Sequence, residues 1–179
     1  MAGEVAMPGQ RRREAEMTIL FATLKMHFPD RLNVAIEELY QWVGYPENIA
    51  DPNFQNTCAI RLSLGLLGAG LPSPGTWPIK AGKYKGRSIE TKQRKLSNWL
   101  ARQLGKPEVF AGGPAAQAGI GARNGIISFF HLHGPEDNQG HIDIVMLDRW
   151  GKYLRCNNDN PDQGGCYWTA TEVWFWHLR

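Results

Sequence analysis

The strongest constraint on the fold of this chain is a change of periodicity near Pro107. Before it, apolar residues recur at intervals of three and four, the spacing that lines one face of a helix. After it, β-branched and aromatic residues gather in short runs separated by turn signals. "AEMTILFATLKMHF" sets Met17, Leu20, Phe21, Leu24 and Phe28 on one helical face. Pro29 and Asp30 stop that helix and cap the next, "RLNVAIEELYQWV", whose stripe is Leu32, Ile36, Leu39 and Val43 and whose end is Gly44. "NTCAIRLSLGLLGAG" predicts a third helix, with Asn56 or Thr57 as its cap and Ile60, Leu64 and Leu67 as its face. Gly68 and Gly70 end it. "PSPGTWPIKAGKYKG" reads as a long surface loop of the kind that often lines a site. "SIETKQRKLSNWLARQLGKP" then predicts a fourth helix, with a serine cap, a face of Ile89, Leu96, Trp99 and Leu100, and a Gly-x-Pro stop. Beyond Pro107, "NGIISFFHLHG", "GHIDIVML", "KYLRC" and "TATEVWFWHL" read as strands. Helices first and antiparallel strands after describe an α+β domain with N-terminal helices packed against an antiparallel sheet.

A length of 179 residues is expected to form a single domain over 1–179, with 1–15 a poorly ordered N-terminal segment. The net charge of +3 (20 basic against 17 acidic residues) is too mild to argue for nucleic acid. No apolar run has the length needed for membrane insertion. "MAGEVAMPGQRRREAEM" lacks the basic-then-apolar order of a signal peptide. The chain is therefore expected to be cytosolic when made, or exported by a route that reads no N-terminal signal.

The three cysteines divide as one and two. Cys156 and Cys166 bracket "NNDNPDQGG", a segment too polar for a core, and could form a disulfide or half of a metal site. A zinc site usually takes four ligands at tight spacing, and no CxxC or HxxxH occurs. An oxidising compartment would favour the disulfide, worth up to about 3 kcal/mol on the chain-entropy model. Cys58 stands alone in the first turn of its helix. There, unpaired backbone N–H groups and the positive end of the helix dipole favour a thiolate, and the same groups can cradle an oxyanion. By itself such a cysteine is more often a small buried hydrophobe.

A nucleophilic cysteine needs a histidine base, itself held by a third polar group. Of the five histidines, His27 belongs to the first helix and His177 to the C-terminus; His131 and His133 sit in a turn-like stretch. His141 opens "HIDIVML" directly after Gly140, a glycine that lets another chain segment or a substrate come close. "LDRWGK" is the following turn. A three-residue loop, Arg149 to Gly151, pairs the strands about Trp150 and places Asp159 opposite His141. A loop of two or four residues would place Asn158 there instead. Asp143 shares the His141 face. It reads as a solubilising charge at a strand edge, or as a third candidate for holding the ring.

Taken together, "FQNTCAIRLSLGLLGAGLP", "QLGKPEVF", "NGIISFF", "GHIDIVML", the cysteine-bracketed Asp segment and "EVWFWHL" resemble, in this order, the type VI secretion amidase effectors. The similarity is to their fourth family, with its Asn-x-Cys-x-Ile-Arg-x-Ser helix start and Gly-His strand, and it covers roughly residues 54 to 176. The resemblance implies an NlpC-like, papain-related fold and a Cys-His-Asp site in which Cys58 is the nucleophile and His141 the base. The family's aspartate lies two positions after the first of two disulfide-bonded cysteines; that offset falls on Asn158 here, with Asp159 one further. Implied too are cleavage of the γ-D-glutamyl to meso-diaminopimelate amide in peptidoglycan stem peptides, passage through the type VI secretion apparatus into a rival's periplasm, and a cognate immunity protein. The same resemblance implies no metal or other cofactor. By position, 72–87 and "HLHGPEDNQ" are expected to wall the substrate groove. Two other readings belong to different classes: a papain-like protease or acyl transferase acting on proteins, and a catalytically silent wall-binding module.

Overall fold

A computed structural model describes residues 19–147, the backbone of 153–154, and residues 167–179. The N-terminal segment expected over 1–15, and Cys156, Asn158, Asp159 and Cys166, lie outside the described residues. Five helices and seven strands are described: α1 (Phe21–His27), α2 (Ile36–Val43), α3 (Cys58–Gly68), β1 (Trp77–Pro78), β2 (Ser88–Ile89), α4 (Gln93–Gln103), β3 (Glu108–Phe110), α5 (Gly113–Ile120), β4 (Gly125–Phe130), β5 (Gly140–Leu147), β6 (Tyr153–Leu154) and β7 (Glu172–His177). The main sheet is antiparallel, in the order β3-β7-β4-β5-β6. No described helix is long and apolar enough to cross a membrane.

The central strand β4, "GIISFF", is buried at every position. A near-continuous apolar run, broken here only by Ser128, is what a strand covered on both faces requires. On one face Ile126, Ile142, Ile144 and Trp176 pack against Leu24 of α1, Leu62 and Leu66 of α3, and Leu96 and Leu100 of α4. On the other, Ile127, Phe129, Val145, Val173 and Phe175 meet Ala116 and Ile120 of α5 together with Trp168 and Ala170. The expected α+β layering is present, and α5 adds cover on the second face. That helix has small residues where an amphipathic stripe would show, so its sequence gives little periodic signal. Small size is what its place demands: a methyl on Gly113 would stand 1.8 Å from the Trp168 carbonyl oxygen.

The third helix is buried from Cys58 through Leu67, not along one stripe. Ile60, Leu64 and Leu67 face a separate cluster with Leu39, Tyr40, Val43, Ile79 and Ile89. Cys58, Ala59, Leu62 and Leu66 face the sheet side. This central position fixes the helix start relative to the sheet.

Helix boundaries depart from expectation where turns intervene. Leu20 and Leu32, both assigned to apolar stripes, are 57% and 71% exposed because each lies just outside its helix. Asp30 does not cap α2, whose N-cap is Ala35; its Oδ1 accepts the Leu32 N–H at 2.9 Å in the turn that precedes the helix. Gly44 ends α2 in the left-handed conformation at φ 82°. Ser88, expected to cap the fourth helix, pairs in β2, and the Glu90 carboxylate accepts the Thr91 and Lys92 N–H groups instead.

Candidate active site

Cys58 is the first residue of α3 and is 8% exposed. The first intrahelical bond runs from Arg61 N–H to the Thr57 carbonyl at 2.9 Å, so the preceding N–H groups have no partner within the helix. Asn56 supplies one: its Oδ1 accepts the Cys58 N–H at 3.3 Å. Thr57 occupies the cap position without a capping bond, and its Oγ1 accepts from Arg61 Nε at 2.9 Å.

His141 is the second residue of β5, as its place after Gly140 predicted. The glycine is required by what surrounds it. A methyl at residue 140 would stand 2.2 Å from Gln93 Oε1 and 2.8 Å from the Phe129 carbonyl oxygen. Gln93 is held there by its Nε2, which donates to Ser128 Oγ at 2.5 Å, beside the Ser97–Ser128 hydroxyl contact of 2.8 Å. Opposite His141 in the ladder is Phe129, whose ring stacks on the imidazole, while Tyr167 meets it edge-on with centroids 4.9 Å apart.

The imidazole Nε2 lies 3.3 Å from Asp143 Oδ2, and Cys58 acts on the ring from across the same cavity. Burial works against a charge on the ring, but these contacts outweigh it and push the His141 pKa up to about 9. Asp143 is not the exposed strand-edge charge expected of it. It is 7% exposed, and its Oδ1 accepts the Ile144 N–H at 2.7 Å. The start of α3 and Tyr167 cover that side of β5, so a carboxylate there is enclosed.

The hairpin register agrees with the expectation where it is described. Met146 pairs with Leu154 and Leu147 with Tyr153, which centres the pairing on residue 150. Residue 159, which the same register would carry opposite His141, lies outside the described residues, as do Asn158 and both bracketing cysteines.

Cys58, His141, Asp143, Arg61 and Tyr167 line one cavity of about 590 Å³. Of the expected groove walls, 131–139 contributes Leu132, His133 and Gln139, but 72–87 contributes nothing. That segment folds away into the short β1–β2 sheet, and its Ile79 is buried against α2 and α3. The opposite wall comes from Phe28, Asp30, Arg31, Leu32 and Ile36, a stretch with no sequence signature of a site. Arg61 was also missed, although a lone charge in the apolar run of α3 is a legible signal. Among the other histidines, His131 is tied into its turn by the Asp137 carbonyl at 2.6 Å, His27 lines a separate cavity with Trp42, and His177 stacks on Phe175. Among the described residues no group of three or more His, Cys, Asp or Glu could hold a metal ion.

A cysteine that opens a buried helix, packed on an antiparallel sheet and faced by a histidine at a strand start, defines the papain-like class of fold in its NlpC-like form. Within that class, the family model for type VI secretion system amidase effector protein 4 (Tae4) matches residues 54–176, and the chain belongs to that family. Among solved structures, the Tae4–Tai4 effector–immunity complex from Enterobacter cloacae is similar at 25% identity and TM-score 0.67, covering 91% of this chain and 100% of that one. Tae4 from Enterobacter cloacae is 24% identical with TM-score 0.65, covering 92% of this chain and 99% of that one. The Tae4–Tai4 complex from Salmonella Typhimurium is 18% identical with TM-score 0.64, covering 91% and 100%. At those last two identities the likeness is one of fold. No curated protein matches the sequence significantly.

Proposed function

We propose that this amidase effector is a cysteine hydrolase of peptidoglycan stem peptides, with Cys58 as nucleophile and His141 as acid and base, and that it cleaves the γ-D-glutamyl to meso-diaminopimelate amide. The observation that carries the reading is that Cys58, at a helix start, and His141, at a strand start, meet in one cavity. His141 is placed to hold the thiol proton while the sulfur attacks. Sγ forms a bond to the amide carbonyl carbon, and the resulting oxyanion lies against the N–H groups at the start of α3. The long Cys58 N–H contact to Asn56 is neutral on the acceptor side, so a full oxyanion competes well for that donor. His141 gives its proton to the departing amine as the C–N bond breaks, leaving a thioester. Water then attacks, His141 takes its proton, and the C–S bond breaks to regenerate the free enzyme.

The test is mass analysis of muropeptides after incubation with the protein. New free amines on diaminopimelate, lost on thiol alkylation and retained in the presence of chelator, are the expected result. Digestion that survives complete alkylation of Cys58 would remove the cysteine from the mechanism.

The third group is assigned from both chemistry and register. Asp159 is the proposed orienting carboxylate, the residue that pairing about residue 150 would carry opposite His141 if it continued. Asp143, whose Oδ2 lies 3.3 Å from Nε2, is proposed to raise the proton affinity of the ring through that contact. An orienter replaced by its amide holds the wrong tautomer, which costs on the order of 10⁴-fold in kcat in a serine triad. A carboxylate that raises the ring's proton affinity without setting its tautomer is expected to cost less. Asp159→Asn is therefore expected to lose far more kcat on a stem peptide than Asp143→Asn. The reverse order would hand the orienting role to Asp143.

Delivery by type VI secretion places the working site in the periplasm of the target cell, where the substrate lies. An oxidising periplasm would also close a Cys156–Cys166 bridge beside the proposed orienter. A producer exposed to its own effector needs protection there, and a cognate immunity protein is the proposed partner.

A further inference from the structure

Arg61 is the single charged residue of α3, and it is 6% exposed. A guanidinium has five N–H donors, one on Nε and two on each terminal nitrogen. Nε donates to Thr57 Oγ1 at 2.9 Å, and Nη1 donates to the Pro29 and Val34 carbonyls at 2.9 and 2.8 Å. Nη2 makes no hydrogen bond among the described residues. Every fully buried side-chain polar atom there has a partner, so Nη2 is not sealed in: it reaches accessible space, and Arg61 lines the Cys58 cavity. Its three acceptors are neutral. No carboxylate pairs with it at ion-pair distance among the described residues, and Asp30 and Asp143 act on it only from further away. A buried cation held by neutral acceptors, with one donor nitrogen left over, carries a standing desolvation cost that an anion in the cavity would relieve.

We propose that Arg61 Nη2 binds a carboxylate on the acyl side of the scissile amide and thereby selects a γ-linked glutamyl residue. The inference rests on the amidase reading above and names what it recognises. Positions three apart on a helix have Cβ atoms about 5–6 Å from each other, so Arg61 stands one step from the nucleophile. A γ-linked glutamate carries its free α-carboxylate four bonds from the carbonyl carbon that Cys58 attacks, and Arg61 lines the same cavity as Cys58. An α-linked residue without an acidic side chain has its α-carboxyl consumed in the peptide bond and presents no such anion. The bonds to Pro29 and Val34 hold the guanidinium still while tying the 29–34 wall to the catalytic helix. The anion therefore meets a donor already in position.

Two stem peptides test this, one with the glutamyl α-carboxylate free and one with it amidated. The wild-type protein is expected to favour the free acid by at least about 10-fold in kcat/KM, and Arg61→Gln to abolish the preference. A purely structural Arg61 would lower both substrates equally and leave the ratio intact, which would overturn the proposal. So would a wild-type protein without preference. Should Arg61→Gln not fold, Arg61→Lys serves, with the preference reduced but in the same direction. A second arm needs no turnover: in Cys58→Ala, the free-acid peptide is expected to shift the Arg61 side-chain ¹⁵N resonances and the amidated peptide to leave them in place. Cleavage at another amide, read by mass, would strike the γ-glutamyl bond assignment, and the resonance shift would still decide Arg61 separately.

Discussion

Cys58→Ala is expected to yield a folded protein that releases no new amines from purified peptidoglycan. The sulfur is one heavy atom at the head of α3, and its removal leaves a cavity worth about 1 kcal/mol at most, by scaling from larger core truncations. Alanine is also the better helix former, which offsets part of that cost. Activity behaves differently because the sulfur is the atom proposed to form the covalent bond. Loss of a nucleophile from a catalytic triad has cost on the order of 10⁶-fold in kcat in a serine protease. A fall of at least about 1,000-fold is expected here, with a cooperative unfolding transition retained. Digestion at the wild-type rate would end the assignment of Cys58.

Stability should depend on pH through His141, and the sign follows from its raised proton affinity. The ring titrates near 6.5 in the unfolded chain and at about 9 in the folded one, because Asp143 and Cys58 together outweigh the effect of burial. The folded state therefore holds the proton more tightly. Its contribution is fully present below about pH 6.5, falls between about 6.5 and 9, and is gone above that. At about 1.4 kcal/mol per tenfold change in proton affinity, the linkage is on the order of 3 kcal/mol. For a chain of this size that corresponds to roughly 10 °C in Tm. Unfolding measured at pH 6 and pH 9.5 for the wild type and His141→Gln isolates the ring together with the groups it touches, since titrating groups elsewhere cancel in the difference. A difference that stays flat across that range would refute the charged ring. The same proton serves catalysis, so kcat/KM should fall on the alkaline side near the pH at which the ring loses it. In Cys58→Ala one of the two supporting contacts is gone, and the stability window should narrow.

The proposed nucleophile and base were legible because each is bound to a local backbone event. Cys58 stands behind a helix-start signal at Asn56 and Thr57, and His141 behind a glycine at a strand start. Helix and strand starts are encoded within a few residues, so these positions could be read without any long-range contact. The hairpin register was legible for the same reason, since a short turn sets the pairing of the strands it joins. Asp143 was misread because a strand pattern says which residues share a face but not what covers that face. The misplacement of 72–87 has a similar cause. Proline and glycine mark a loop, but whether a loop reaches the site depends on buried anchors such as Ile79, which finds its partners on α2 and α3.

By itself the sequence determined helices α1 to α4, strands β4 to β7, the two proposed reactive residues and the pairing of β5 with β6, all properties of short-range stereochemistry. Tertiary structure alone decided that the 28–36 stretch walls the cavity, that α5 covers the second face of the sheet, and that Asp143 is enclosed beside the imidazole. It also decided the state of Arg61. In sequence that residue is one charge in an apolar run; in the fold it is a buried cation with Nη1 on two distant carbonyls and Nη2 left over. Burial and partnership are sums over segments far apart in the chain, and no local pattern carries them.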